Sequence, residues 1–162
     1  MVDRPEITDK LSRLVEKRLA SQNMYWSAEV DFDKNLENER RIDYVGFKAF
    51  TPFSVNEPSS VELGTFAFYE VKSCMADFKS GHGLSFYGDE NYLVTTPEFA
   101  EELRATQNYP KNVTAILCPD KNWTRLYTKI NLKTYMVHRT RSSSEILWAI
   151  VQAHEKLTRL TR

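Results

Sequence analysis

The sequence predicts an α/β (α+β) domain in which helices flank a central mixed β-sheet. Along the chain, a helical pattern is followed by three strand-like segments, then by a strand, a helix, further strands and a closing helix; this order is typical of that class. The chain has 162 residues, of which 41% are hydrophobic and 12% aromatic. That length and composition suit one domain with a sizeable core, so we expect a single domain spanning residues 1–162.

The first predicted element is a helix over about residues 4–20. Asp3 precedes it as a candidate capping residue, and Pro5 fits the first turn of a helix. Apolar residues recur at helical spacing on one face: Ile7, Leu11, Leu14, Val15 and Leu19. We therefore expect this helix to pack against the sheet.

Three strands are predicted next, at 24–32, 41–50 and 64–73. The stretch 51–60 contains two prolines and several small polar residues, so it predicts a loop between the second and third strands. If that loop reverses the chain, the second and third strands form a hairpin.

The second half of the chain alternates strands with helices. Further strands are predicted at 91–95, 113–117, 125–130 and 134–137. The pair Thr96 and Pro97 predicts a helix start, and that helix ends before Tyr109. Ser142 and Glu145 form a Ser-x-x-Glu capping box before a closing amphipathic helix.

The composition also bounds the cellular setting. No stretch is apolar and long enough to span a bilayer, and the N-terminal residues lack the apolar core of a signal peptide. We expect a cytoplasmic protein with no membrane partner. Cys74 and Cys118 are then expected to be free thiols.

Charge is distributed unevenly along a chain whose formal net charge is zero. Nine lysines and arginines and two acidic residues lie in 121–162, a net charge of +7, so residues 1–120 carry −7. Such a separation suits a protein that holds cations on one surface and phosphates on another. A solvated basic helix and strand would give the same pattern, and both interpretations stay open.

The residues that indicate chemistry lie in the predicted strand 64–73. Side chains alternate between the two faces of a strand, so Glu70 and Lys72 share a face with Phe66 and Phe68. Burying a carboxylate and an ammonium beside two phenylalanines costs free energy unless the two charges are paired or serve a function. In the predicted hairpin, Asp43 of the preceding strand can lie beside Glu70.

A pair of carboxylates with a lysine is a recognisable chemical unit. Two carboxylates can hold a hard divalent cation, which polarises a phosphodiester and lowers the pKa of a bound water. A nearby lysine can orient that water and stabilise negative charge on the phosphate. The alternative is an unrelated α/β domain in which Lys72 only forms a salt bridge with Asp43 or Glu70.

Two motifs that contain these residues resemble those of a known protein family. Arg-Arg-Ile-Asp at 40–43 and Tyr-Glu-Val-Lys-Ser at 69–73 resemble the PD-(D/E)XK nuclease superfamily. The likeness is greatest to the MmcB-like DNA-repair proteins, and VRR-NUC and Holliday-junction-resolvase-type domains are further away. Glu29, the Asp-Phe pair at 77–78 and the Tyr-x-Asp segment beginning at Tyr87 extend the resemblance over about residues 10–95.

The resemblance implies a restriction-endonuclease-like fold with an αβββαβ core. It implies that Asp43, Glu70 and Val71 are ligands of Mg²⁺ or Mn²⁺, and that Lys72 is the catalytic lysine. Glu29 is implied as a further acidic site residue, with an exposed strand carboxylate as the alternative. Glu16 is a weaker candidate, for which we prefer a solvated helix position.

The expected function is that of a metal-dependent deoxyribonuclease acting on DNA in repair, recombination or phage DNA processing. The alternative is a non-catalytic nucleic-acid-binding or assembly module on the same fold. Retention of Asp43, Glu70 and Lys72 together favours the enzyme. Asp77 follows the site closely and could orient DNA or lie on a solvated helix face. The oligomeric state stays open, a homodimer included.

Overall fold

The protein, seen in a computed structural model that describes residues 3–52, 57–81, 83–132 and 137–160, is built on one six-stranded sheet. The helices are α1 (Arg4–Ser21), α2 (Pro58–Glu62), α3 (Met75–Lys79), α4 (Pro97–Thr106) and α5 (Ser143–Leu160). The strands are β1 (Tyr25–Phe32), β2 (Arg40–Lys48), β3 (Thr65–Val71), β4 (Glu90–Val94), β5 (Ala115–Pro119) and β6 (Leu126–Asn131).

The strands lie in the sheet in chain order, from β1 at one edge to β6 at the other. β1, β2 and β3 form an antiparallel meander, β3 to β5 run parallel, and β6 returns antiparallel to β5. Parallel neighbours need crossover connections, and these contain α3 and α4. The predicted mixed sheet flanked by helices is therefore confirmed.

The sheet has a hydrophobic core on each face. On the first, called the α1 face, residues of α1 pack against inward side chains of the central strands: Leu11, Val15, Leu19, Tyr69, Val94 and Leu117. On the second, called the α5 face, residues of α4 and α5 pack against the opposite side chains of the same strands: Phe66, Phe68, Leu93, Leu103, Ile116 and Ile146. Burial on both faces explains why the central strands are almost continuously apolar.

β1 and β2 both change faces at the same point. Ile42 lies in the core of the α5 face, yet Tyr44 lies in that of the α1 face, although residues two apart on a regular strand share a face. Val30 and Ala28 of β1 differ in the same way, and between them Glu29 has a positive φ of 54°. Local irregularities of this kind re-aim side chains. In this protein the two changes of face occur at Asp43 of β2 and at Glu29 of β1.

Several sequence predictions need correction. Asp3 is the N-cap residue of α1, but its side chain makes no capping hydrogen bond. The predicted loop 51–60 contains the start of α2, because Glu57 and Ser60 cap it reciprocally and a proline occupies its first turn. The bounds of the short helix α3 were not predicted, although a helix face was considered for Asp77. The predicted strand 134–137 lies almost entirely outside the described residues, and Val137 itself is not in a strand.

The closing helix begins as its capping box predicts. The Ser142 hydroxyl accepts a hydrogen bond from the main-chain N–H of Glu145 at 3.2 Å. Cys74 and Cys118 are free thiols. Among the helices of the described ranges, none has the length and apolar character needed to cross a membrane.

Candidate metal and catalytic site

The β2–β3 hairpin places Asp43 and Glu70 side by side. Tyr44 pairs with Tyr69 in the ladder, so Asp43 and Glu70 are the next residues on each strand, and the two carboxyl groups lie close enough for each to alter the pKa of the other. Asp43 Oδ2 also accepts a hydrogen bond of 2.7 Å from the main-chain N–H of Val71. That bond fixes the Asp43 carboxylate against the end of β3.

The two carboxyl groups share a buried environment that disfavours their ionised forms. Burial raises the pKa of Glu70 far above its usual range, and the neighbouring Asp43 raises it further. Burial also raises the pKa of Asp43, although the Val71 N–H and the Lys72 ammonium oppose that change. The pair therefore retains a proton at neutral pH when no cation is bound.

One oxygen of this pair lacks a hydrogen-bond partner. Glu70 is only 1% exposed, and its Oε1 atom is buried without a hydrogen bond. A buried carboxyl oxygen without a partner is unfavourable, and such groups concentrate where a ligand or ion completes the site. The sequence could not show this, because it depends on which loops cover the end of β3.

Lys72 lies just beyond the end of β3 and is only 6% exposed. Its main-chain N–H donates to the carbonyl of Val94 at 3.0 Å, so parallel pairing with β4 fixes its backbone. Its ammonium favours the ionised forms of both Asp43 and Glu70. The three side chains line one cleft of about 450 Å³, together with Glu39, Arg40, Arg41 and Gly83.

Asp77 of α3 contacts Lys72, a role that the sequence did not reveal. Its Oδ1 atom lies 3.7 Å from Lys72 Nζ and 3.0 Å from a guanidinium nitrogen of Arg4. Its Oδ2 atom accepts a hydrogen bond from the main-chain N–H of Ser73 at 3.4 Å. Asp77 is therefore placed to orient Lys72 rather than to lie on a solvated helix face. The available signals were its position five residues after Lys72 and the Asp-Phe pair of the family resemblance, and neither indicated a contact with Lys72.

Gly83 covers the carboxylate pair from the loop that follows α3. A Cβ atom at this position would lie 2.6 Å from Glu70 Oε2 and 3.4 Å from Lys72 Nζ. Its φ of +75° is also in the left-handed region that glycine adopts readily. Both features require glycine here, and the main chain of Gly83 consequently approaches the site closely.

Glu29 lies opposite Asp43 on β1, but its side chain points toward the rim. It is 3.6 Å from Arg41, and more than half of the side chain is exposed. Partial burial raises its pKa, and the nearby Asp43 raises it further. Glu29 therefore lies beside the carboxylate pair rather than within it.

Glu16 is not the solvated helix residue that we preferred from the sequence. Its Oε1 atom accepts a hydrogen bond of 2.8 Å from the Tyr44 hydroxyl. Together with burial, that bond raises the pKa of Tyr44. Glu16 also lines a second cleft, of about 700 Å³, which contains Glu29, Asp43, Lys72 and Asp77.

The carboxylate oxygen atoms of Asp43 and Glu70 are ligands that suit a hard cation. Across the described ranges, no group of three or more His, Cys, Asp or Glu side chains is placed to hold a metal ion. A cation here would therefore take two carboxylates, from Asp43 and Glu70, with main-chain oxygen and water completing its shell. Val71 can contribute only its main-chain carbonyl. The unpartnered Glu70 Oε1 atom fits this arrangement.

Comparisons with known proteins identify a structural neighbour. A protein of unknown function from Silicibacter pomeroyi has the same fold. It superposes with a TM-score of 0.58 at 18% sequence identity, over 95% of this chain and 88% of the other. No protein-family model matches the chain, and no curated protein is a significant match. At this identity the likeness shows the fold alone.

Proposed function

We propose that this protein is a metal-dependent nuclease of the PD-(D/E)XK type, which hydrolyses phosphodiester bonds in DNA. The proposal rests chiefly on one observation: Asp43, Glu70 and Lys72 meet in one cleft, and a buried oxygen of Glu70 has no hydrogen-bond partner. A purely structural salt bridge would use that oxygen. Such a nuclease would act in DNA repair, recombination or phage DNA processing.

Asp43, Glu70 and the Val71 carbonyl are the proposed ligands of Mg²⁺ or Mn²⁺. The cation would polarise the phosphodiester and lower the pKa of an attacking water. Asp43 is held in position by the Val71 N–H, so it is preorganised for this task. Glu70 would give up its proton to solvent in order to bind the cation.

Lys72 is proposed to orient the attacking water and to stabilise negative charge on the phosphate. An ammonium group held in place in a largely buried cleft stabilises negative charge effectively, because little water screens it. Asp77 limits where the ammonium can lie. Arg40 and Arg41 line the same cleft and would contact phosphates that flank the reacting one.

The alternative function is a non-catalytic nucleic-acid-binding or assembly module. In that function the carboxylate pair would keep its proton permanently, because no cation would displace it. The two functions differ in whether DNA is cut and in whether a divalent cation is needed.

One experiment separates them. The full chain is incubated with end-labelled single-stranded, duplex and branched DNA in Mg²⁺, Mn²⁺ or EDTA, beside an Asp43→Asn variant purified identically. The proposal predicts cleavage of at least one substrate by the wild type with Mg²⁺ or Mn²⁺, and none in EDTA or by the variant. Equal cleavage by both proteins would indicate a contaminant. DNA binding without cleavage would support the module instead.

A further inference from the structure

A groove lies between α5 and the turn that follows β1, on the face of the sheet that α5 covers. It encloses about 460 Å³. Its lining includes one tryptophan and five charged residues: Asp31, Lys34, Trp148, Glu155, Lys156 and Arg159. Nothing in the proposed catalytic chemistry uses this groove, so its composition needs a separate explanation.

Trp148 is the largest apolar side chain that lines the groove. It is 61% exposed, whereas most large side chains on α5 that face the sheet are buried. Trp148, Lys156 and Arg159 are spaced by eight and three residues, so they follow one side of the helix. An exposed aromatic ring beside cationic side chains is the arrangement on which unpaired nucleic-acid bases stack.

The charge of the groove complements phosphate. Its acidic residues are already paired: Asp31 with Arg41 at 3.0 Å, and Glu155 with Arg159 at 2.6 Å. Within the described parts of the chain, neither Lys34 nor Lys156 takes part in an ion pair. Both ammonium groups are therefore available to neutralise phosphates.

The groove adjoins the proposed catalytic cleft. Asp31 binds Arg41, and Arg41 also lines the cleft that contains Asp43 and Glu70. The ion pair of Asp31 with Arg41 thus places the groove next to the cleft that contains the proposed cation ligands.

We infer that this groove binds a single-stranded segment of DNA adjoining the phosphate to be cut. An unpaired base stacks on Trp148, and the ammonium groups of Lys34 and Lys156 contact phosphates. A duplex does not suit the groove, because its bases are stacked on one another and present no face to a tryptophan. This inference rests on the proposed nuclease function and names the substrate feature that the site recognises.

The test measures binding in EDTA, so that cleavage plays no part. Fluorescein-labelled oligo(dT) and a duplex of equal length are titrated with the full chain, and anisotropy is followed at two salt concentrations. The variants are Trp148→Ala, Lys156→Gln and a control, Trp123→Ala. Trp123 is 38% exposed, but it lies in the turn between β5 and β6, whereas the groove lies beside β1 at the opposite edge of the sheet.

Trp148→Ala is expected to weaken oligo(dT) binding about fivefold to a hundredfold, the effect of losing one stacked base. Trp123→Ala is expected to bind within about twofold of the wild type, because it does not alter the groove. Lys156→Gln should reduce the slope of log K against log salt by about 0.7, the loss of one phosphate contact to a single strand. Duplex binding should respond less to Trp148→Ala than oligo(dT) binding does.

Other outcomes overturn the inference and separate its failure from that of the nuclease proposal. Equal oligo(dT) affinity of Trp148→Ala and Trp123→Ala would remove the groove assignment, while metal-dependent cleavage by the wild type would leave the nuclease intact. Conversion of a dimer to a monomer by Trp148→Ala, with DNA affinity unchanged, would assign the groove to a second copy of the chain. Trp148-dependent binding without any cleavage would retain the groove and refute the nuclease.

Discussion

The carboxylate of Asp43 is bonded to the main chain of Val71, the residue between Glu70 and Lys72. Asp43 Oδ2 accepts this hydrogen bond at 2.7 Å, just beyond the last residue pair of the β2–β3 ladder. The bond couples the position of one proposed cation ligand to the strand that carries the other. It also explains how β2, which changes faces here, keeps its carboxylate directed toward Glu70.

The first prediction concerns pH. Because burial raises the pKa of Glu70 in the folded state, folding takes up a proton, and the metal-free protein is penalised once pH rises above the unfolded pKa, near 4.5. The unfolding free energy should therefore fall between pH 5.5 and 8.5. Glu70→Gln should remove up to about 1.4 kcal/mol per pH unit of that slope.

Urea unfolding in EDTA across this pH range measures the slope. Glu102→Gln is the matched control, because Glu102 is an exposed acid on α4, away from the site. Its slope should equal that of the wild type. A Glu70→Gln slope that also equals the wild-type slope would show that Glu70 is ionised without a cation.

The second prediction concerns the cation. Mg²⁺ or Mn²⁺ should raise the melting temperature, since only the folded state presents both carboxylates. Binding should also release about one proton, because the carboxylate pair gives up its proton to become ionised. Calorimetric titrations in two buffers of different ionisation enthalpy measure that proton. Asp43→Ala should lose both the thermal shift and the proton release; equal shifts in the two proteins would make Asp43 a structural residue.

The third prediction compares two glycines of one loop. Gly81 and Gly83 both have a φ of +75°, but a Cβ at Gly81 has no heavy atom within 4 Å, whereas one at Gly83 meets Glu70 Oε2 at 2.6 Å. Gly81→Ala should therefore cost about 1 kcal/mol of unfolding free energy, from the backbone alone. Gly83→Ala should cost more and should also weaken the response to Mn²⁺. Equal stability losses and equal Mn²⁺ responses would show that the loop does not cover the site.

The fourth prediction concerns the positioning of Lys72. Asp77→Asn should leave the thermal shift by Mn²⁺ nearly unchanged but lower the cleavage rate about tenfold, because the ammonium loses its anionic neighbour. Arg4→Ala is the control, since it removes the other ion pair of Asp77 and leaves Lys72 in place. A lower melting temperature for Asp77→Asn with the cleavage rate unchanged would make Asp77 a structural residue of α3.

The sequence predicted the parts of the site that follow from local periodicity. Glu70 and Lys72 could be placed on one face from alternation along a strand, and Asp43 from the expected hairpin. The change of faces at Glu29 could not be predicted, because a non-glycine residue with positive φ has no clear local signature. Gly83 was overlooked because its contact with Glu70 depends on how a loop folds over the sheet.

The partner of a functional residue is harder to predict than the residue itself. Asp77 contacts Lys72 only because α3 turns back at the end of β3, and a five-residue helix has little periodicity to detect. From the sequence we preferred a solvated helix position for Glu16. Its bond to Tyr44 arises from the packing of α1 on the sheet, a contact between residues far apart in the chain.

The most direct test of the central claim is the metal-dependent cleavage rate of Lys72→Ala beside the wild type. Lys72 is proposed to act on water and phosphate rather than to bind the cation. The variant should therefore stay folded, retain the thermal shift by Mn²⁺ and bind DNA, while cleavage falls about a hundredfold to a thousandfold. Cleavage at the wild-type rate would contradict the account. So would an unfolded variant, because it would identify Lys72 as the structural partner of Asp43 and Glu70.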